Sequence, residues 1–281
     1  MSALSLGCLL GLGLGAFYLV GTVASAPAPE EIGPAPSDLS IEPVTIASPS
    51  GSRLSGWFVA GRPRTGAVLL MHSLWANRLD MVDRARLLNE HGFAVLLFDF
   101  QAHGESTGQR VTFGYLEAQD ARAAFGFLRR RMPAERIGVI GLSMGGAAAV
   151  LGELPADAMV LEAVYADFSK AVENRLAFLL GAPGRYLAPM LTWQVQLRLG
   201  FDYKVLQPAE RISKLRVPLL LIAGGDDGLA TLEEAKTLFA RARQPKQLWV
   251  IPGARHVDFH YHYPTEYERR VLVFLRRRLN R

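Results

Sequence analysis

Three residues in one order carry the chemistry open to this sequence: Ser143, an aspartate at 226 or 227, and His256. Ser143 stands in Gly141-x-Ser143-x-Gly145, with a third glycine at Gly146. Before it runs the apolar, β-branched segment Ile137–Leu142, which reads as a buried strand; after it, Met144–Leu151 is small and helix-tolerant. A sharp turn between the two forces strained backbone angles on the residue at its apex. It also leaves no room for side chains on its flanks. Such a turn lifts a hydroxyl clear of the sheet, and the N–H of Met144 and the helix N-terminus face the same point. Negative charge developing there would meet donors.

A serine hydroxyl is a poor nucleophile until a base accepts its proton. Of six histidines, His256 follows the apolar run Leu248–Ile251 and a Pro252-Gly253 turn, so it falls in a loop where a strand ends. His260 and His262 are fallback bases within an aromatic run that reads as packing, and His91 reads as a surface residue. The base needs a carboxylate to hold its tautomer and stabilise its cation. The strand Leu219–Ala223 runs into Gly224-Gly225-Asp226-Asp227-Gly228. Asp227 is the choice and Asp226 the alternative, because adjacent side chains point in different directions. Capping of the next helix falls to Thr231. A second oxyanion donor is expected at the N–H of Leu74, where the run Val68–Met71 gives way to a loop. His72 in that loop, and Asp99 to Ser106 after the next strand, read as loop-ordering residues.

These residues must be positioned by a regular frame. Val44–Ala47 and Gly56–Ala60 read as an edge hairpin around Ser48-Pro49-Ser50-Gly51. Apolar runs at Ala67–Met71, Ala94–Phe98, Ile137–Leu142, Met159–Val164, Leu219–Ala223 and Leu248–Ile251 alternate with helical patterns at 78–90, 115–131, 144–153, 231–243 and 265–279. Continuous apolar strands between amphipathic helices predict an α/β fold, its mostly parallel, doubly wound sheet covered on both faces. The fifty residues between Val164 and Leu219 exceed an ordinary connection. They predict a helical cap inserted at about 165–207, with helices at Lys170–Leu180 and Arg185–Leu199 hinged at Gly181-Ala-Pro183-Gly184. Placed beyond the strand C-termini, such an insertion would be a lid or pocket wall.

The order serine, aspartate, histidine, with the serine on a strand-to-helix turn, resembles the α/β-hydrolase fold. In particular, the chain resembles the serine aminopeptidase-like (S33-type, or hydrolase_4) and dienelactone hydrolase-like group. The resemblance rests on MHSLWANR at 71–78, FDFQAHGES at 98–106, GLSMGG at 141–146, LIAGGDDG at 221–228 and PGARHVD at 252–258, within roughly 42–280. It implies Ser143 as nucleophile, Asp227 as acid, His256 as base, and Leu74 with Met144 as oxyanion donors. One departure stands out: Ser73 occupies a place where that group has glycine, which would narrow the oxyanion loop.

Residues 1–25 read as an N-terminal membrane anchor or signal segment. Leu4 to Ala24 carries no charge and has about the ~20 residues needed for a transmembrane helix. Ala24-Ser25-Ala26 offers a cleavage site, but the region before the apolar stretch lacks Lys and Arg, which favours an uncleaved anchor. Gly7, Gly11 and Gly15 would form a ridge able to pair two such helices. The charge bias predicts a domain outside the cytoplasm (periplasmic), or a secreted one if the leader is cleaved. Residues 26–40, with four prolines, read as a linker, and 41–281 as the folded domain. The lone Cys8 excludes an intramolecular disulfide and any cysteine-based metal site. All 31 basic but only 22 of the 26 acidic residues lie beyond Ser52. They are scattered along helices without interleaved aromatics, so no nucleic-acid partner is expected.

The expected activity is therefore a serine hydrolase acting on a small-molecule ester or related acyl substrate through an acyl-enzyme, with no cofactor and no metal. Peptidase or acyltransferase chemistry is the related alternative. A membrane-tethered binding protein that keeps the fold without the chemistry is the alternative from another class.

Overall fold

The computed structural model describes residues 15 and 17–280. In chain order, the short strand β1 (Ala28–Pro29) precedes the hairpin β2 (Ile41–Ala47) and β3 (Arg53–Val59), then β4 (Ala67–Met71), α1 (Val82–Glu90), β5 (Ala94–Phe98), the short β6 (His103–Gly104) and α2 (Glu117–Arg131). The serine turn joins β7 (Ile137–Leu142) to α3 (Met144–Leu151). After β8 (Ala158–Glu162) come the inserted helices α4 (Phe168–Leu180) and α5 (Ala188–Leu199). The chain ends with β9 (Leu219–Gly224), α6 (Leu232–Arg241), β10 (Lys246–Ile251) and α7 (Pro264–Leu279).

The main sheet has the order β10-β9-β8-β7-β4-β5-β3-β2. It is parallel from β10 to β5 and antiparallel at β3 and β2. Strands β4, β5, β7, β8 and β9 are buried along their whole length, which is why each reads as an unbroken apolar run rather than an alternating one. One face packs against Ala118–Leu128 of α2, all of α3, and Leu238 of α6. The other packs against Val82–Leu88 of α1 and Tyr267–Leu279 of α7. The parallel strands therefore share one C-terminal edge, where the loops carrying the predicted residues meet.

Several boundaries move, each for a local reason. The strand expected to reach Val164 ends at Glu162, because Ala163 turns with φ 49°. The helix expected over 78–90 begins as a 3₁₀ turn, Arg78–Met81, capped by Asn77, whose side chain accepts from the Leu79 N–H at 2.9 Å. In the insertion, residues 182–187 form a 3₁₀ turn. The α-helix starts at Ala188, where Pro189 in its first turn suits a helix start but not a helix interior. The hairpin is not purely an edge, since β3 pairs with β5 as well as β2.

The leader differs most from expectation. Among the described residues no helix is long and apolar enough to cross a membrane. The stretch expected to span, Leu4–Ala24, lies partly outside the described residues, as do Cys8, Gly7 and Gly11. Its last part, 17–24, is helical and packs on α5, where Gln194 Nε2 donates to the Phe17 carbonyl at 3.2 Å. Residues 26–40 are not a free linker either. β1 pairs with β6, Ala28 N–H donates to the Ala102 carbonyl at 2.7 Å, Asn77 Nδ2 donates to Glu30 Oε2 at 2.8 Å, and Arg86 Nε to Asp38 Oδ2 at 2.6 Å. Ile32 is buried in the core face shared with α1. Prolines suit this role, because an extended strap at a sheet edge need not donate every N–H.

Candidate active site

The β7–α3 turn is as tight as its glycines suggest. Ser143 adopts φ 50° and ψ −110°, a conformation that costs a residue with a side chain about 1–3 kcal/mol. A Cβ on Gly145 would lie 2.4 Å from the Met71 carbonyl oxygen and 2.6 Å from that of His72. A Cβ on Gly146 would lie 2.3 Å from Val164 Cγ2. The turn is thus wedged between β4 and the chain after β8, and Ser143 N–H donates to the Glu162 carbonyl at 2.7 Å. Met144 opens α3, so its N–H has no acceptor within the helix. Leu74 follows β4, and among the described residues its N–H meets no acceptor. Ser73, expected to narrow this loop, turns its hydroxyl toward Asp80 Oδ2 at 3.5 Å instead.

The two loops at the far side are laced together by their backbones. Gly225 N–H donates to the Ile251 carbonyl and Asp226 N–H to the Ala254 carbonyl, both at 2.9 Å. That lacing turns the two aspartates apart: Asp226 faces solvent, and Asp227 is buried. Asp227 Oδ1 accepts from the N–H groups of Leu229 at 2.8 Å and Ala230 at 2.9 Å, while Oδ2 meets His256 Nδ1 at 2.8 Å. A carboxylate so held fixes Nδ1 as the protonated nitrogen and leaves Nε2 to accept a proton. Thr231 caps α6 through a capping box with Glu234, as its placement suggests. His260 lies instead against Tyr267, 4.9 Å between ring centroids. Ser143, Met144, Leu74 and His256 all border one cavity of about 510 Å³. Among the described residues no hydrogen bond joins Ser143 Oγ to His256; in empty sites such bonds are commonly long until substrate closes them.

His72 and Asp99 order the loops, as their positions suggest. His72 Nδ1 donates to the Ser73 carbonyl at 2.7 Å, and Nε2 accepts from Phe100 N–H at 3.0 Å. One ring thus ties the loop after β4 to the loop after β5. Burial, and secondarily the neighbouring His103, lowers its pKa to about 3. Asp99 Oδ1 accepts from Arg78 N–H at 2.7 Å, and its other oxygen accepts from the Arg78 guanidinium and from Glu105 N–H at 3.0 Å.

A second cluster escaped sequence reasoning. Arg84 of α1, almost wholly buried, donates to Glu162 Oε2 at 2.7 Å and to both Asp258 oxygens at 2.8 and 2.9 Å. Tyr267 of α7 donates to Glu162 Oε1 at 2.5 Å. Asp258 lies two residues after His256, so the cluster holds the histidine loop against the end of β8. Only the charge of Arg84 inside an apolar helix pattern hinted at it. Trp75 (φ 58°) and Arg175, whose guanidinium lies 5.5 Å from the Trp75 ring centroid, also border the cavity and were not foreseen.

The alpha/beta hydrolase family model matches residues 67–270. The chain belongs to the alpha/beta hydrolase family. Its curated relatives include the uncharacterized protein Rv2307c of Mycobacterium tuberculosis, 31% identical over 80% of this chain and 77% of that one. The uncharacterized protein YqkD of Bacillus subtilis is 25% identical over 82% and 77%. Among solved structures, the Pyrococcus furiosus esterase PF2001 superposes with a TM-score of 0.74 at 25% identity, covering 91% of this hydrolase and 99% of that chain. The fold and a hydrolase activity thus agree with the geometry at the sheet edge. Among the described residues no group of His, Cys, Asp and Glu is arranged to hold a metal ion.

Proposed function

We propose that this protein is a serine esterase that works through an acyl-enzyme at Ser143. His256 takes the hydroxyl proton as Oγ bonds to the ester carbon, then delivers it to the departing alkoxide as the carbon–oxygen bond breaks. Water, deprotonated by the same imidazole, releases the acid and restores Ser143. Asp227 keeps Nδ1 protonated and stabilises the imidazolium between the two proton transfers. The N–H groups of Met144 and Leu74 receive the oxyanion; the loss of one such donor typically costs about 10²–10³ in rate. The observation that carries the reading is the His256–Asp227 contact on the same cavity as a serine held in a strained turn.

The cavity favours esters over peptides. Most of its lining residues are apolar, and Tyr165 Oη and Ser25 Oγ are engaged with the Phe113 and Gly21 carbonyls at 2.7 and 2.8 Å. Such a wall suits an apolar acyl group, which needs no hydrogen bonds from it. Helices α4 and α5, bordering the cavity, serve as its lid. The test is hydrolysis of p-nitrophenyl esters together with labelling by a fluorophosphonate. Ser143→Ala should abolish both; turnover retained in the folded variant would overturn the assignment.

For location, the reading is a domain outside the cytoplasm held at a membrane surface by residues 1–16, supported by their apolar, nearly charge-free sequence alone. Resistance of the full chain to alkaline carbonate extraction tests attachment, and a periplasmic reporter fusion tests the side.

A further inference from the structure

One side of the cavity is not built by the hydrolase domain. Leu19, Val20, Gly21, Val23, Ala24 and Ser25 border it, facing Leu191, Val195 and Leu199 of α5 and Leu179 of α4. The leader is fastened there by specific polar contacts. Arg198 donates to Thr22 Oγ1 at 2.6 Å and to the Tyr18 carbonyl, and its guanidinium lies 3.8 Å from the Tyr18 ring centroid. Val111 N–H donates to the Ser25 carbonyl at 3.0 Å, and Ser25 is buried. At the closest approach stands Gly21, where a Cβ would lie 2.8 Å from Gln194 Oε1 and 3.0 Å from Arg198 Nε. Here the ends of two α5 side chains, Gln194 and Arg198, lie directly over the backbone of the leader helix. Leu19 and Leu179 border the cavity yet remain 62% and 66% exposed. That is apolar surface an apolar chain in the cavity would cover.

We propose that residues 17–25 remain attached in the working protein and form a wall of its acyl-binding cavity, contacting the distal part of a long-chain acyl group whose carbonyl sits at Ser143. The inference rests on the esterase reading above. It makes the leader a determinant of chain-length preference rather than a segment discarded after export.

The test uses the full-length chain and a long-chain alkyl fluorophosphonate with a diazirine at the chain end. Ser143 Oγ displaces fluoride from phosphorus, its proton passing to His256, and light then inserts the carbene into whatever lies beside the chain end. The first basic residue is Arg53, so trypsin releases the leader as residues 1–53. A crosslink from Ser143 to that peptide is expected. Normal labelling with crosslinks confined to α4 and α5 overturns the inference and leaves the esterase reading intact; no labelling at all overturns both. Mature protein beginning at residue 25 or beyond also overturns it.

Two variants give an independent measure, since neither position is part of the catalytic machinery. Gly21→Leu displaces the ends of Gln194 and Arg198, the side chains that fasten the leader to α5. Val20→Asp places a charge on the wall at a half-exposed position, where folding is not at stake. Each methylene removed from apolar contact weakens transition-state binding about fourfold. Both variants should therefore lower the ratio of kcat/KM for a palmitate ester to that for an acetate ester roughly tenfold or more. An unaltered chain-length profile in Val20→Asp overturns the proposal.

Discussion

His72 gives the fold an acid-sensitive point whose size follows from its surroundings. The ring is fully buried, donates to one loop and accepts from another, and its pKa falls from 6.5 to about 3. Its folded pKa lies below its unfolded one, so its contribution is complete above pH 6.5. As the pH falls, the unfolded chain takes up a proton that the folded ring refuses, at 1.36 kcal/mol per unit. Between pH 7 and pH 4.5 the protein therefore loses about 3 kcal/mol through this residue. Asp120 works in the opposite sense. Burial raises its pKa to about 6 against hydrogen bonds from Ser48 and Ser50, so it restores about 2 kcal/mol between pH 6 and pH 4.5. The two residues oppose each other, and buried His103, its pKa also lowered by desolvation, adds to the loss, so only a variant isolates His72. His72→Gln keeps an acceptor and a donor but cannot span both loops, so it should lose about 1–2 kcal/mol at pH 7. Its deficit should then vanish and reverse towards pH 4.5. Urea unfolding at half-unit pH steps, followed by fluorescence, reads the difference. A gap between wild type and variant that stays constant within about 0.5 kcal/mol would refute the reasoning.

Asp227→Asn retains an acceptor for Leu229 and Ala230 but presents the wrong group to His256; kcat on p-nitrophenyl esters should fall about 10⁴-fold with the unfolding midpoint little changed. Gly146→Ala should destabilise by about 1–3 kcal/mol, with partial rescue by Val164→Ala because a side chain is the obstacle. Gly145→Ala meets backbone oxygens instead, and no side-chain trimming should recover it; thermal melts of the double variants decide both cases. Arg84→Met leaves Glu162 buried without its ion-pair partner and should cost about 3–5 kcal/mol, whereas Tyr267→Phe should cost about 1–2, measured by urea unfolding at pH 7.

The strands and the serine turn were legible because they obey local rules. A strand buried on both faces has to be apolar throughout, and a turn wedged against Met71 and Val164 has to be glycine. The loops that carry His256 and Asp227 were legible from order and strand position. The choice between the aspartates was not, because it depends on backbone bonds between two loops 29 residues apart in sequence. Arg84 shows a further limit: its partners, Glu162, Asp258 and Tyr267, lie 78 to 183 residues away, and no spacing rule reaches that far. The packing of the leader's described part on α5 was not legible for a different reason. Hydropathy reports that Phe17–Ala24 avoids water, but a cavity wall and a lipid tail satisfy that preference equally well.

The first and last described segments lie at opposite edges of the sheet. Residues 17–25 lie at the cavity mouth, while Leu279 packs against Gly66 and Gly138, at the starts of β4 and β7. A purification tag or immobilising handle placed after Arg281 would hang beneath the sheet and turn the open mouth outward from a resin or sensor chip. A handle at this end thus sets the orientation of the hydrolase on a solid phase.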